Sequence, residues 1–241
     1  MKILHQIYAI YCYLIMVIAL VAFFLFFENI YLPTTVSAPL GNPISINVFL
    51  LDFMLISLFG IQHSIMARDW FKKWLKDLLP PALERVTYLL LSSIVLAIIV
   101  RFWQPFGGVF WDIRGTLSGY LLLVLGGMGG IIVLLSARAI GSRSFIGWEQ
   151  ITMQKNDIEQ PFITPSFYQF VRHPIYFGML LLIWSMPLLS FSGLFFNLLM
   201  TSYIVIGTTF EERNLRITFG ETYRTYQEFV PMLIPFTKYR K

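Results

Sequence analysis

Residues 117–137 read LSGYLLLVLGGMGGIIVLLSA, and no charged side chain interrupts them. The hydrocarbon core of a bilayer is crossed by roughly 20 mostly apolar residues in a helix, so this stretch is long enough to span it. Backbone polar groups must be satisfied internally in lipid, and a single run of this kind does that only as a helix. Working outward, further apolar runs occupy 7–27, 44–66, 86–103, 175–190 and 194–210. The whole chain is 57% hydrophobic and 13% charged. Soluble domains carry about 25% charged residues, so composition and pattern exclude a soluble fold of this length. An all-α integral membrane protein is expected, with about six transmembrane helices (five to six). The last two runs are separated by Ser190-Phe191-Ser192-Gly193, which reads as a tight C-terminal helical hairpin.

The basic residues orient these spans. Of the 18 lysines and arginines, all but Arg101 and Arg114 fall at Lys2, in 67–85, in 138–174 or in the tail after residue 210. The positive-inside rule then puts both termini and both basic loops in the cytosol. The net charge of +5 reads as topology rather than nucleic-acid binding. Cys12 is the one cysteine, so no internal disulfide is possible. His5, His63 and His173 have no paired spacing, and no metal site is expected. The first apolar run is too long and aromatic for a cleaved signal peptide. The chain reads as one domain over 1–241, with N-terminal spans to 137 and a loop, hairpin and tail over 138–241. Oligomeric state is not legible.

Chemistry on a water-soluble ligand belongs at the cytosolic end. Proline is favoured at the first position of a helix, so the fifth span should begin at Pro174, with His173 at its cap and Arg172 beside it. The free N–H groups of that first turn favour an anion. The plainer alternative makes Arg172 a snorkelling anchor and His173 an ordinary cap. Glu211 and Glu212 end the sixth span. Acids at the edge of hydrocarbon need a partner. They could form a ligand site, or Glu212 could pair with Arg172 or with Arg216 four residues on. The hairpin returns both acids to the level of His173, and an anion site beside paired acids suits a zwitterion with a further positive centre.

Asp52 and Gln62-His63-Ser64 mark the second span as unusually polar. Asp52 and His63 are about three turns apart and share a face. His63 is a candidate catalytic base, or a group that hydrogen-bonds a neighbouring span. Gly126-Gly127-Met128-Gly129-Gly130 carries the G-x-x-x-G spacing of closely packed helices. Trp103, Trp111 and Tyr120 read as an interfacial aromatic belt.

Arg172-His173-Pro174-x-Tyr176-x-Gly178, then Glu211-Glu212-x-x-Leu215-x-x-x-Phe219-Gly220-x-x-Tyr223-x-x-Tyr226 and Val230-Pro231-x-x-Ile234-Pro235, resemble the integral-membrane methyltransferases. That group includes isoprenylcysteine carboxyl and phospholipid N-methyltransferases. Upstream, Phe59-Gly60-Ile61-Gln62-His63-Ser64-Ile65-Met66-Ala67-Arg68, Glu84-Arg85-Val86-Thr87-Tyr88 and Trp103-Gln104-Pro105 resemble the bacterial methanethiol S-methyltransferases. The resemblance implies S-adenosylmethionine as cosubstrate and a small thiol, methanethiol, as acceptor. It suggests His173, Tyr176, Gly178, Glu211 and Glu212 as cofactor-binding residues, to which the cation beside the first turn of the fifth span adds Arg172. Other acceptors remain open, an isoprenylcysteine or a lipid amine, as does a non-enzymatic role in respiratory-complex assembly. The expected mechanism is in-line displacement by a thiolate, with His63 as base and Asp52 orienting it, and with Phe145, Trp148, Pro161 and Phe162 in a lid over the pocket.

Overall fold

The computed structural model describes residues 2–29, 34–37, 42–141, 146–153 and 162–238. Phe145 and Pro161 of the expected lid lie outside them. Helices are α1 (Lys2–Phe27), α2 (Ile46–Met66), α3 (Asp69–Leu78), α4 (Glu84–Phe102), α5 (Leu117–Ala139), α6 (Trp148–Met153), α7 (Pro174–Trp184) and α8 (Phe191–Phe229). Short strands β1 (Val109–Asp112) and β2 (Leu188–Ser190) pair antiparallel, with Val109 opposite Ser190 and Asp112 opposite Leu188. Among the described residues, five helices, α1, α2, α4, α5 and α8, are long and apolar enough to cross a membrane. The protein is a multi-pass helical membrane protein.

The fifth apolar run behaves differently. α7 has 11 residues, about 16 Å at 1.5 Å per residue, which is near half the hydrocarbon core. Pro187 explains the stop: it has no N–H to continue the helix and disfavours helical geometry in the residue before it. The chain then extends into β2. The turn between the last two helices therefore precedes Ser190, and Phe191 is already helical. Ser190 Oγ accepts from the Gly193 N–H at 3.1 Å, as a capping side chain does.

The chain divides into two compact units. One comprises Met1–Asp112, Arg143–Ile158 and Leu188–Leu199. Here α1 and α2 both pack on α4. Ala9, Cys12, Leu83, Val86 and Ile151 form one core cluster, and the Tyr8 hydroxyl bonds Thr87 Oγ1 at 3.0 Å. Phe26, Trp103 and Phe196 form an aromatic cluster with centroids 5.6–6.4 Å apart. Trp103 is thus not part of an interfacial belt. It is buried, and its indole N–H donates to Ser192 Oγ at 3.0 Å, the partner that a buried indole requires. Tyr120 is exposed, as a belt residue would be.

The other unit comprises Ile113–Ser142, Glu159–Pro187 and Met200–Lys241. Its α5 and α7 run antiparallel and touch backbone to backbone. A Cβ on Gly178 would lie 2.5 Å from Gly129 O, and one on Gly129 would lie 2.6 Å from Gly178 O. Gly126, Gly129 and Gly130 of α5 face α7 and the residue after it, with Ser185, Leu181 and Leu182 opposite. The Trp184 indole N–H donates to Thr201 Oγ1 at 3.0 Å, tying α7 to α8.

Candidate functional site

At the N-terminus of α7, Arg172 and His173 meet Glu212 of α8. Arg172 grips the carboxylate with two parallel bonds, Nε to Oε1 at 2.7 Å and Nη2 to Oε2 at 2.9 Å. His173 Nε2 donates to Oε1 at 2.7 Å. All three side chains are buried. A carboxylate accepts only, so this bond fixes the proton on Nε2. Of the two pairings left open for Glu212, Arg172 is the one found. Arg216 Nε instead reaches the Glu212 backbone carbonyl at 3.4 Å.

The same carboxylate also receives the Tyr223 hydroxyl, 2.8 Å from Oε1, and the Gln227 side-chain amide on Oε2. In a straight helix Tyr223 would lie eleven residues, about 16 Å, beyond Glu212. The bond exists because α8 kinks at Gly220, where φ is +57° and ψ is −127°, backbone geometry close to glycine-only. The reversal lets the last turns of α8 fold back on its own acid. After them, the Val230 carbonyl accepts from Arg172 Nη1, and the Pro231 and Met232 carbonyls accept from the backbone N–H groups of Arg172 and His173 at 2.9 and 3.2 Å. Phe162 closes the group against Phe219, Tyr223 and Tyr226.

Glu212 is therefore saturated by five donors. Its oxygens hold the clasp together, and a ligand ammonium could reach them only by displacing a partner. Glu211 differs. Its side chain is 44% exposed, with Oε2 3.8 Å from His173 Nδ1. Burial pushes the nearby Tyr168 phenol up to about 12, and the Glu211 charge adds to the shift. Tyr176 stacks on His173 with centroids 5.8 Å apart and rings 29° from parallel. Gly178 sits at the closest approach of α5 and α7, so its missing Cβ has a packing reason. Val133 also meets Gly178, and one turn further along α5 Ser136 comes level with the first turn of α7. Ser136 is fully buried, and its hydroxyl has no hydrogen-bond partner among the described residues.

In the other unit, His63 meets Tyr88 of α4. The phenol oxygen lies 2.6 Å from Nε2 and 2.9 Å from Nδ1, while Ser92 Oγ is 3.4 Å from Nδ1. Phe59 stacks on the imidazole at 5.2 Å, and the Arg85 guanidinium lies over the Tyr88 ring at 5.1 Å. Asp52 does not orient His63. Eleven residues put it about 16 Å away along α2, and its Oδ1 accepts from the Gln104 N–H at 3.0 Å, just past the end of α4. Among the described residues no group of three or more acids, histidines or cysteines could hold a metal ion.

Tyr88, Tyr223 and Gln227 had no assigned role from sequence. Tyr88 lies in the Glu-Arg-Val-Thr-Tyr segment, and α2 to α4 adjacency was the missing fact. Tyr223 and Gln227 were too far along the helix from Glu212 to be paired without the turn at Gly220.

Spanning helices, a clasped Arg–His–Glu centre and an exposed acid beside it define a multi-pass membrane protein with a built polar site where α7 meets α8. Comparisons with known proteins carry this further. The chain is 34% identical over 232 residues to a methanethiol S-methyltransferase of Crocosphaera subtropica, which covers 95% of this chain and 91% of that protein. It is 37% identical over 237 residues to a methanethiol S-methyltransferase of Pseudomonas sp. strain GM41(2012), with coverage of 97% and 91%. Nurim of Rattus norvegicus is 25% identical over 187 residues, 73% of this chain and 71% of that protein. No family model and no solved structure matches the chain. The chain belongs to the methanethiol S-methyltransferase family and is a methyl-transferring enzyme.

Proposed function

We propose that this protein transfers the methyl group of S-adenosylmethionine to methanethiol, giving dimethyl sulfide and S-adenosylhomocysteine. The observation that carries the reading is the similarity to methanethiol S-methyltransferases along nearly the whole chain. The residues at the clasp fit the cosubstrate. Glu211 offers a carboxylate with exposed oxygens for an ammonium or sulfonium, the first turn of α7 offers N–H groups for a carboxylate, and the buried Ser136 hydroxyl is available to a polar ligand atom. Arg172, His173 and Glu212 then act by holding that turn and Glu211 in place, with Tyr176 stacked beside them.

The cosubstrate supplies a methyl on a positive sulfur, open to in-line attack. A carbon–sulfur bond to the acceptor forms as the carbon–sulfur bond to the sulfonium breaks. The thiolate is the reactive form of the acceptor, so its proton must leave first, and His63 is the base we assign, held by Tyr88 and Phe59. Alignment and exclusion of water provide most of the acceleration, since holding reactants in geometry can be worth about 7–11 kcal/mol. The distribution of basic residues supports placing both termini in the cytosol.

An acceptor panel tests the reading. Purified protein is supplied with S-adenosylmethionine and, in turn, methanethiol, an isoprenylated cysteine and a phospholipid amine. Turnover with methanethiol alone is expected. Turnover only with a lipid acceptor would replace the thiol in this proposal.

A further inference from the structure

α2 has 21 residues, about 31 Å at 1.5 Å per residue, which matches the hydrocarbon core. It ends at Met66, and α3 begins at Asp69 after Ala67 and Arg68. α4, the next span, begins at Glu84. α3 thus joins two membrane-length helices at one end, at the depth where hydrocarbon gives way to headgroups. Its ten residues, DWFKKWLKDL, are strongly two-faced. At 100° per residue, Trp70, Trp74, Leu78, Phe71 and Leu75 fill one continuous arc of about 140°, and Lys72, Lys73, Lys76 and Asp77 lie opposite it.

Among the described residues, only one edge of the apolar arc is covered by the protein. Leu75 is 7% exposed, whereas Trp70, Trp74 and Leu78 are 62%, 52% and 61% exposed. These three follow each other at four-residue intervals, so they form a single stripe. Two tryptophans and a leucine on one stripe would be an aggregation hazard in water. At an acyl–headgroup boundary they are well matched, because indole has an apolar body and a polar N–H. The polar arc carries three lysines and Asp77, and Arg68 precedes it. Lys76 also pairs with Glu84 at 3.8 Å, linking the polar arc to the start of α4.

We propose that α3 is an in-plane membrane helix: Trp70, Trp74 and Leu78 insert into the acyl boundary of one leaflet, and Lys72 and Lys73 contact anionic lipid headgroups. The pattern is that of interfacial amphipathic helices, which lie flat with the apolar face sunk 5–10 Å. Lysines beside an anionic bilayer surface are attracted to it. The occupant of the stripe is lipid, and a second copy of the chain is the competing occupant.

Nitroxide labels on single cysteines test this in the full chain in nanodiscs of phosphatidylcholine and phosphatidylglycerol. The labelled variants are Trp70→Cys, Trp74→Cys, Leu78→Cys, Lys73→Cys and Asp77→Cys. Cys12 is buried, so the unsubstituted chain serves as the labelling control. Collisions with oxygen are expected to exceed those with a water-soluble nickel chelate at 70, 74 and 78, and to fall below them at 73 and 77. Equal, water-like collision ratios at all five positions would overturn the proposal. So would dipolar broadening between labels at 74, which would put a second copy on the stripe. The oxygen preference at 74 is expected to rise with phosphatidylglycerol content, and Lys72→Gln with Lys73→Gln is expected to abolish that rise. No lipid dependence in the chain with both lysines would remove the headgroup contact.

Discussion

Glu212 shows how much a single side chain can organise. Five donors from Arg172, His173, Tyr223 and Gln227 converge on its two oxygens. Removing the charge leaves a buried guanidinium without its counter-ion, a class of change that costs about 3–5 kcal/mol. Glu212→Gln should therefore lower thermal stability in detergent, read by the unfolding midpoint. Glu211→Gln should leave stability unchanged and weaken S-adenosylmethionine binding roughly tenfold, the size of a lost charged hydrogen bond. Calorimetry separates the two, and equal affinity in Glu211→Gln would remove that acid from the ligand site. At His63, an alanine should reduce turnover on the order of 100-fold, as loss of a general base does, with cosubstrate affinity retained. Tyr88→Phe tests the partner. Turnover intermediate between the unsubstituted chain and His63→Ala is expected if the hydroxyl holds the ring. The sequence revealed the charged residues and their common level in the membrane, because acids beside hydrocarbon demand partners. It did not reveal which acid was saturated, since that depends on donors folded back from beyond Gly220. Asp52 shows a related limit of the sequence: a shared helix face does not shorten a three-turn separation from His63.

At the scale of elements, the glycines of α5 have a concrete purpose. Gly129 and Gly178 bring two backbones together where a Cβ would come within 2.6 Å of a carbonyl oxygen. Gly178→Ala should force α5 and α7 apart and destabilise by about 1–3 kcal/mol, the usual cost of overpacking. Gly127, with nothing within 4 Å of a Cβ, is the control, and Gly127→Ala should be tolerated. Melting curves of both variants in one detergent decide this. The turn at Gly220 carries a different expectation. No neighbour among the described residues would obstruct a side chain there, so Gly220→Ala acts through backbone strain, about 1–3 kcal/mol, and loosens Tyr223 and Gln227 from Glu212. Most element positions were legible, because spanning helices leave long uncharged runs. The short α7 was not, since apolar content alone does not show that Pro187 diverts the chain into a strand. The basic segment 67–85 was legible as charge, while the alternation that makes α3 two-faced emerges only once its ten residues are known to be helical.

At the scale of the molecule, five membrane-length helices and their polar ends agree with a catalyst for small, membrane-permeable sulfur compounds. Methanethiol and dimethyl sulfide both dissolve in hydrocarbon, and the polar cosubstrate needs only one aqueous face. Purified protein in nanodiscs, supplied with methanethiol and S-adenosylmethionine carrying a trideuterated methyl group, tests this most directly by mass spectrometry of the headspace. The expected product is dimethyl sulfide bearing one trideuterated methyl, absent when either reactant is withheld. Protein that binds S-adenosylmethionine yet releases no labelled dimethyl sulfide would contradict the proposed reaction.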